Sequence, residues 1–187
     1  RRRGTFPGFG GGADYVNMEH GTWSMDGELG WNSQPWSQLS FGTQLAHSAI
    51  TIDGASGEEN VRSWGPYLDY GYDTLDSRFF PREGSYFSGR LSYIHTQGED
   101  ISAEEQWGLV SAFNYLKPFT FSERQTLALR LSGGGSDVSE LVPLYLQDLG
   151  GLFNLSGYQR YQLNGRYKAF GGLMYGYRLL DNNFGAF

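Results

Sequence analysis

Segments of about 9–11 residues recur along this chain in which every second side chain is apolar and the intervening ones are small or polar, a period-two pattern that an extended strand sorts onto two faces. From Thr22 onward, Trp23, Met25, Leu29 and Trp31 share one face, while Ser24, Asp26, Glu28 and Gly30 take the other. The partition returns at Leu39, Phe41 and Leu45, at Trp64, Leu68, Tyr70 and Tyr72, at Phe87, Leu91 and Tyr93, and at Trp107, Leu109, Phe113 and Tyr115. It returns again at Leu127, Leu129 and Leu131, and finally at Leu173, Tyr175, Tyr177 and Leu179. A helix would mix the two sets. About eight such strands at hairpin spacing predict an all-β, up-and-down antiparallel fold. Their length is that of a tilted membrane-crossing strand, so the expected architecture is an antiparallel transmembrane β-barrel.

Composition fits that expectation. Aromatics make up 17% of the 187 residues and glycine contributes 28, yet mean hydropathy is only −0.46. A barrel reconciles these values, because each lipid-facing apolar residue is followed by a lumen-facing polar one. Trp23, Trp31, Leu39, Phe41, Phe87, Leu91, Trp107, Leu173 and Tyr175 are therefore expected to face lipid. The tryptophans and tyrosines near strand ends would form interfacial girdles. Sugar or single-stranded nucleic-acid sites also use aromatics. A net charge of −6, with no basic stripe continuing Arg1, Arg2 and Arg3, argues against a nucleic-acid partner. No apolar run is long enough for a membrane helix, and no secretory leader opens the chain, which implies that an exported protein would extend upstream.

Residues 1–13 are rich in glycine, carry Pro7 and read as a linker or loop, with the barrel segment over 14–187 and a first strand entering near 14–18. Pro66 is awkward for a central strand, and Lys117-Pro118 is expected to close the segment before it. Between Gly133 and Arg166 the rhythm stops. That stretch is too long for an ordinary hairpin. Its centre, with Gly150, Gly151 and Gly157 among Leu152, Phe153 and Leu155, has too many glycines for a helix and is too apolar for a solvated loop. A loop at 133–166 folding into the lumen would explain both.

Catalytic constellations are missing. There is no Gly-x-Ser-x-Gly elbow, and Gly54-Ala55-Ser56-Gly57 lacks a strand-turn-helix context. Gly8-Phe9-Gly10-Gly11-Gly12-Ala13 is not followed by an amphipathic helix. His20, His47 and His95 lack metal-site spacing, there is no cysteine, and Glu58-Glu59 and Glu104-Glu105 read as solvated loops or contacts to ions bridging lipid head groups. No catalytic residue, metal or cofactor is expected. Arg90, Arg130 and Arg178 share the polar face with Asp26 and Glu28, either as a lattice filling the interior or as the wall of a wet path.

Two local signatures resemble the bacterial surface antigen superfamily of outer-membrane barrels, which includes barrel-assembly proteins and two-partner secretion transporters. Asp73-Thr74-Leu75-Asp76 followed by Phe79-Phe80-Pro81-x-x-Gly84 is similar to that family's turn before a strand, with Asp73, Asp76, Phe80, Pro81 and Gly84 as its marks. Leu155, Ser156, Gly157 and Tyr158 stand where the family carries a Val-Arg-Gly-Phe/Tyr loop tip. Ser156 replaces the arginine, which makes the chain more similar to the barrels of patatin-like autotransporters, a type V secretion class. The resemblance implies about half of a sixteen-stranded barrel, ending at Phe187 without the usual terminal aromatic strand, so that missing strands or a second copy would close it. It further implies a bacterial outer-membrane location among lipid and lipopolysaccharide, and a non-enzymatic translocator or anchor. An upstream transport-associated domain and a patatin-like lipase passenger would complete the protein. A passive structural barrel or pore, an outer-membrane assembly or two-partner secretion transporter, and a soluble β-sandwich are the alternatives.

Overall fold

A computed structural model describes residues 2–7, 15–52, 58–98, 106–138, 145–149 and 163–178, with side chains described at 21–49, 60–98, 106–138, 145–149 and 163–178. Its elements are all strands: β1 (Arg2–Pro7), β2 (Tyr15–Gln34), β3 (Ser37–Ile52), β4 (Glu58–Asp73), β5 (Tyr86–Gly98), β6 (Gln106–Ser122), β7 (Gln125–Ser136), β8 (Gln147–Asp148), β9 (Asn164–Gly165) and β10 (Tyr167–Tyr177). Eight of them form one antiparallel sheet in the order β1-β2-β3-β4-β5-β6-β7-β10, and β8 pairs separately with β9. Among the described residues the sheet does not close on itself: β1 pairs with β2 at one end and β10 with β7 at the other. Pro35-Trp36 and Glu123-Arg124 make two-residue turns at one end of the sheet, joined there by residues 74–85.

The ladder carries one parity from strand to strand. Leu29 lies opposite Phe41, Phe41 opposite Leu68, Leu68 opposite Leu91, and Leu91 opposite Ser111. A slip of one residue would reverse every side chain, so this continuity is strongly specified. The result inverts an ordinary soluble sheet. Leu29 is 84% exposed, Trp31 69% and Leu173 68%, whereas Ser40, Ser48 and Ser92 on the opposite face are each 3% exposed. Serine, glycine and alanine are short enough for neighbouring strands and a returning segment to close over them.

That segment follows β7. Val138 and Tyr145 are buried against Val61 of β4 and Ile94 of β5, with Val110 and Leu146 packed around them. The Tyr145 hydroxyl donates to Ser63 Oγ at 2.7 Å, and the Asp137 amide donates to the Leu109 carbonyl at 2.9 Å. Gly108 makes room: a Cβ there would stand 2.7 Å from Val138 Cγ2 and 2.9 Å from its backbone nitrogen. The only hydrophobic cluster of fully buried residues among those described thus lies on the polar face, under a strap.

Several boundaries differ from the sequence reading. Arg2–Pro7 is not linker but a strand, paired from Arg2↔His20 to Pro7↔Tyr15. A ladder is made by backbone groups, to which glycine contributes as well as any residue. β7 runs on to Ser136 through Gly133, Gly134 and Gly135, so the connection to β10 begins later than 133. β6 passes through Pro118, which pairs with Ala128, because β5 leaves β6 at Tyr86↔Leu116 and only one neighbour remains. A one-sided position tolerates the missing N–H. Pro66 also sits inside β4, where the β4–β5 pairing skips from Trp64↔His95 to Tyr67↔Ser92.

Replacing Gly108 with Val is expected to unseat the strap. Overpacking of this kind costs about 1–3 kcal/mol. Limited proteolysis should then cleave within 137–149 faster than in the parent chain while the strands remain protected, and equal cleavage would show that the close approach is not needed.

Candidate functional site

Three features could carry function: an exposed apolar face, a polar face crossed by a charged chain of contacts, and an ordered turn. On the apolar face, residues 23–31, 64–72, 87–95 and 107–115 each span nine positions with an aromatic or histidine at both ends. At ~3.4 Å per residue such a run is about 27 Å long. All nine residues expected to face lipid lie on this one face: Trp23, Trp31, Leu39, Phe41, Phe87, Leu91, Trp107, Leu173 and Tyr175. Phe87 is the one that is half-buried. The rings at one margin touch, with Tyr93 stacked on Trp107 at 4.9 Å, Trp64 edge-on to Trp107 at 5.1 Å, and His95 4.7 Å from Trp107. Among the strand residues whose side chains are described, this face holds no carboxylate.

Within these nine-residue bands the charges are all on the other face. The Tyr67 hydroxyl of β4 reaches across Gly42 of β3 and donates to Glu28 Oε2 of β2 at 3.2 Å. A Cβ at position 42 would lie 2.6 Å from Tyr67 Cζ, so this crossing needs glycine beneath it. The Arg90 guanidinium lies 4.3 Å over the Tyr67 ring and donates to both Asp69 oxygens, at 2.7 Å from Nε to Oδ1. Glu28, Tyr67, Arg90 and Asp69 therefore link β2 to β5 in one polar chain. It borders an open groove of about 400 Å³ shared with Gln38, Ser40 and Asn114. Sequence reading put Arg90, Asp26 and Glu28 on this face but did not single out Tyr67. The available signal was its size, a lone bulky aromatic among Ser63, Gly65, Asp69 and Gly71.

The turn at 74–85 shows what its motif residues do. Asp76 Oδ1 accepts the amides of Arg82 at 2.8 Å and Glu83 at 3.1 Å, while Asp73 Oδ1 accepts the amide of Leu75 at 3.0 Å. The Asp73 amide donates to the Trp36 carbonyl at 2.8 Å, which ties this turn to the β2–β3 hairpin. Gly84 has φ +88°, and a Cβ there would collide with the Thr74 carbonyl, so glycine is required. The neighbouring β6–β7 hairpin clamps the turn through Lys117 Nζ to the Gly84 carbonyl at 2.9 Å and Arg82 Nη2 to the Ser122 carbonyl at 2.8 Å. Phe80 is exposed beside an exposed Phe79, and Pro81 follows half-exposed. Leu155, Ser156, Gly157 and Tyr158 lie outside the described residues.

Among the described residues no group of acidic, histidine or cysteine side chains is arranged to hold a metal ion. Among the described residues no helix is long and apolar enough to cross a membrane. Comparison with protein-family models, curated proteins and solved structures finds no match.

Desolvation tends to raise the Asp76 carboxyl, but the amides of Arg82 and Glu83, with those of Asp76 and Ser77, outweigh it and hold the group below its ordinary value of 3.8. A folded-state value below the unfolded one stabilises the fold fully above the unfolded value, and that contribution disappears as pH falls through the folded one. Asp76→Ala is expected to lower stability by about 1 kcal/mol at neutral pH, the usual cost of a lost carboxylate cap. The difference from the parent chain should vanish in acid below that range. Urea midpoints at the two pH values check this, and a difference that persists in acid would assign it to something other than the carboxylate.

Proposed function

We propose that this chain is a segment of an outer-membrane β-barrel, serving as the translocator or anchor domain for an upstream passenger. One observation carries the membrane part of this reading: an exposed apolar face in nine-residue bands bounded by aromatics, backed by a face that holds the charges of those bands. A nine-residue band matches the length a tilted strand needs to cross hydrocarbon. Aromatic margins match the girdles at both membrane surfaces. In this reading the end that carries the two-residue turns and residues 74–85 is periplasmic, the opposite end faces outward, and the polar face lines the lumen.

An unpaired strand edge in hydrocarbon costs several kcal/mol per backbone group, so further strands or a second copy complete the wall. The translocator role draws on the resemblance of the 73–84 turn and the 155–158 tip to patatin-like autotransporter barrels. The packing of Val138 and Tyr145 against Val61 and Ile94 on the polar face supports it, because residues held on that face would occupy a lumen. The passenger expected from that resemblance is a patatin-like lipase preceded by a transport-associated domain, with no catalysis in this chain. A passive barrel or pore is the second reading, favoured by the Glu28–Tyr67–Arg90–Asp69 chain, which would serve equally well as interior filling.

Leu91→Arg, near the centre of the apolar face, is expected to cost about 2–4 kcal/mol of folding stability in a bilayer. Ser88→Arg, on the polar face of the same strand, should be tolerated. Folding of the full chain into lipid vesicles, followed by urea titration, distinguishes them, and equal behaviour would remove the lipid assignment. Surface display of the passenger tests export: Gly157→Val should leave the strands folded and reduce display. Unchanged display with a steady conductance across a planar bilayer would instead mark a passive pore.

A further inference from the structure

Among the strand residues whose side chains are described, the apolar face carries two formally charged groups, Arg62 and Lys117. Each occupies the next same-face position beyond a band, past Trp64 on β4 and past Tyr115 on β6. Lys117 is engaged with the Gly84 carbonyl at the turn end. Arg62 belongs to a row at the opposite margin. Register places Trp23 opposite His47, His47 opposite Arg62, and Arg62 opposite Gln97, on four successive strands. With strands ~4.8 Å apart this row is roughly 14 Å wide.

Every member of the row is a hydrogen-bond donor: indole N–H, imidazole N–H, guanidinium and carboxamide. Trp23 and His47 are stacked, with ring centroids 6.0 Å apart. The adjacent row toward the middle of the face is Met25, Leu45, Trp64, His95 and Trp107. A row of donors that includes no carboxylate of its own, set along the edge of an aromatic and aliphatic band, favours an anionic ligand that is itself joined to apolar chains. Arg62 also interacts within the chain, and the five N–H donors of a guanidinium leave capacity for another acceptor.

We propose that Trp23, His47, Arg62 and Gln97 form a binding site for the phosphate group of an anionic membrane lipid. Arg62 supplies a two-pronged, charge-assisted contact to the phosphate oxygens. His47 and Gln97 donate from either side, and the Trp23 and Trp64 rings lie against the backbone that joins phosphate to acyl chains. The ligand chemistry is a phosphate monoester or diester on a lipid, supplied by a glycerophospholipid or by the lipid A part of lipopolysaccharide. This site rests on the membrane reading above, which it deepens by naming a lipid class and the residues that select it.

The test uses the full chain in bilayer discs of three compositions: phosphatidylcholine alone, phosphatidylcholine with phosphatidylglycerol, and phosphatidylcholine with lipid A. Retained lipid is counted by native mass spectrometry and affinity is read from the thermal midpoint against anionic lipid content. Arg62→Gln is expected to weaken anionic-lipid binding by about fivefold to tenfold, as one arginine at an anionic surface does. Its insertion into phosphatidylcholine should be unchanged, and His47→Gln should have a smaller effect. Arg124→Gln, which removes one positive charge from the opposite end, should bind like the parent. The anionic lipid whose binding depends on Arg62 identifies the source. If Arg62→Gln matches Arg124→Gln in both anionic compositions, the site is refuted while the membrane reading stands. If the parent chain fails to insert into phosphatidylcholine, the membrane reading falls and the site with it.

Discussion

An antiparallel ladder that keeps one register over many strands decides, by parity alone, which solvent each side chain meets. Because β2 to β7 and β10 share an unbroken odd-even order, a single choice made at Leu29 is inherited by Phe41, Leu68 and Leu91. The two register shifts, between Asn32 and Gln34 and between Thr120 and Ser122, fall beside the two-residue turns, where they leave the faces intact. Everything else depends on that inheritance. The exposed band, the row of donors at its margin and the charged chain on the reverse side exist because no strand slips.

Stability in such a sheet has a different distribution from that of a soluble domain. The largest apolar side chains are the exposed ones, and the described buried cluster is small, built from Val61, Ile94, Val138 and Tyr145. Backbone pairing and short side chains hold the wall together, while its polar surface is fixed by specific contacts. Arg90 exemplifies this economy: it pairs with Asp69 and stacks on Tyr67, and Tyr67 in turn donates to Glu28. Truncating one member leaves its partners with unmet polar groups, which costs more than the contact itself is worth.

Period-two patterning made the face assignment legible directly, because apolar and polar residues alternate within single strands such as 23–31 and 107–115. The turn at 73–84 was legible too, since Asp73, Asp76 and Gly84 act through local geometry within a dozen residues. Contacts between distant segments were not. Tyr145 meets Ser63 across 82 positions, and nothing in the rhythm around either residue announces the other. β1 escaped notice because pairing is made by backbone groups to which a glycine-rich composition is no guide. Pro118 misled for a related reason, in that the cost of a missing N–H depends on how many neighbours a strand has, and β6 has only one there.

The edge-to-face contact between Trp64 and Trp107, 5.1 Å between centroids, has an optical consequence. Two indole chromophores held this close at a fixed angle couple their transition dipoles and give an exciton couplet in circular dichroism. Because the rings belong to β4 and β6 and flank β5, the couplet arises only when three strands have assembled. The chain thus contains its own label-free reporter of sheet assembly.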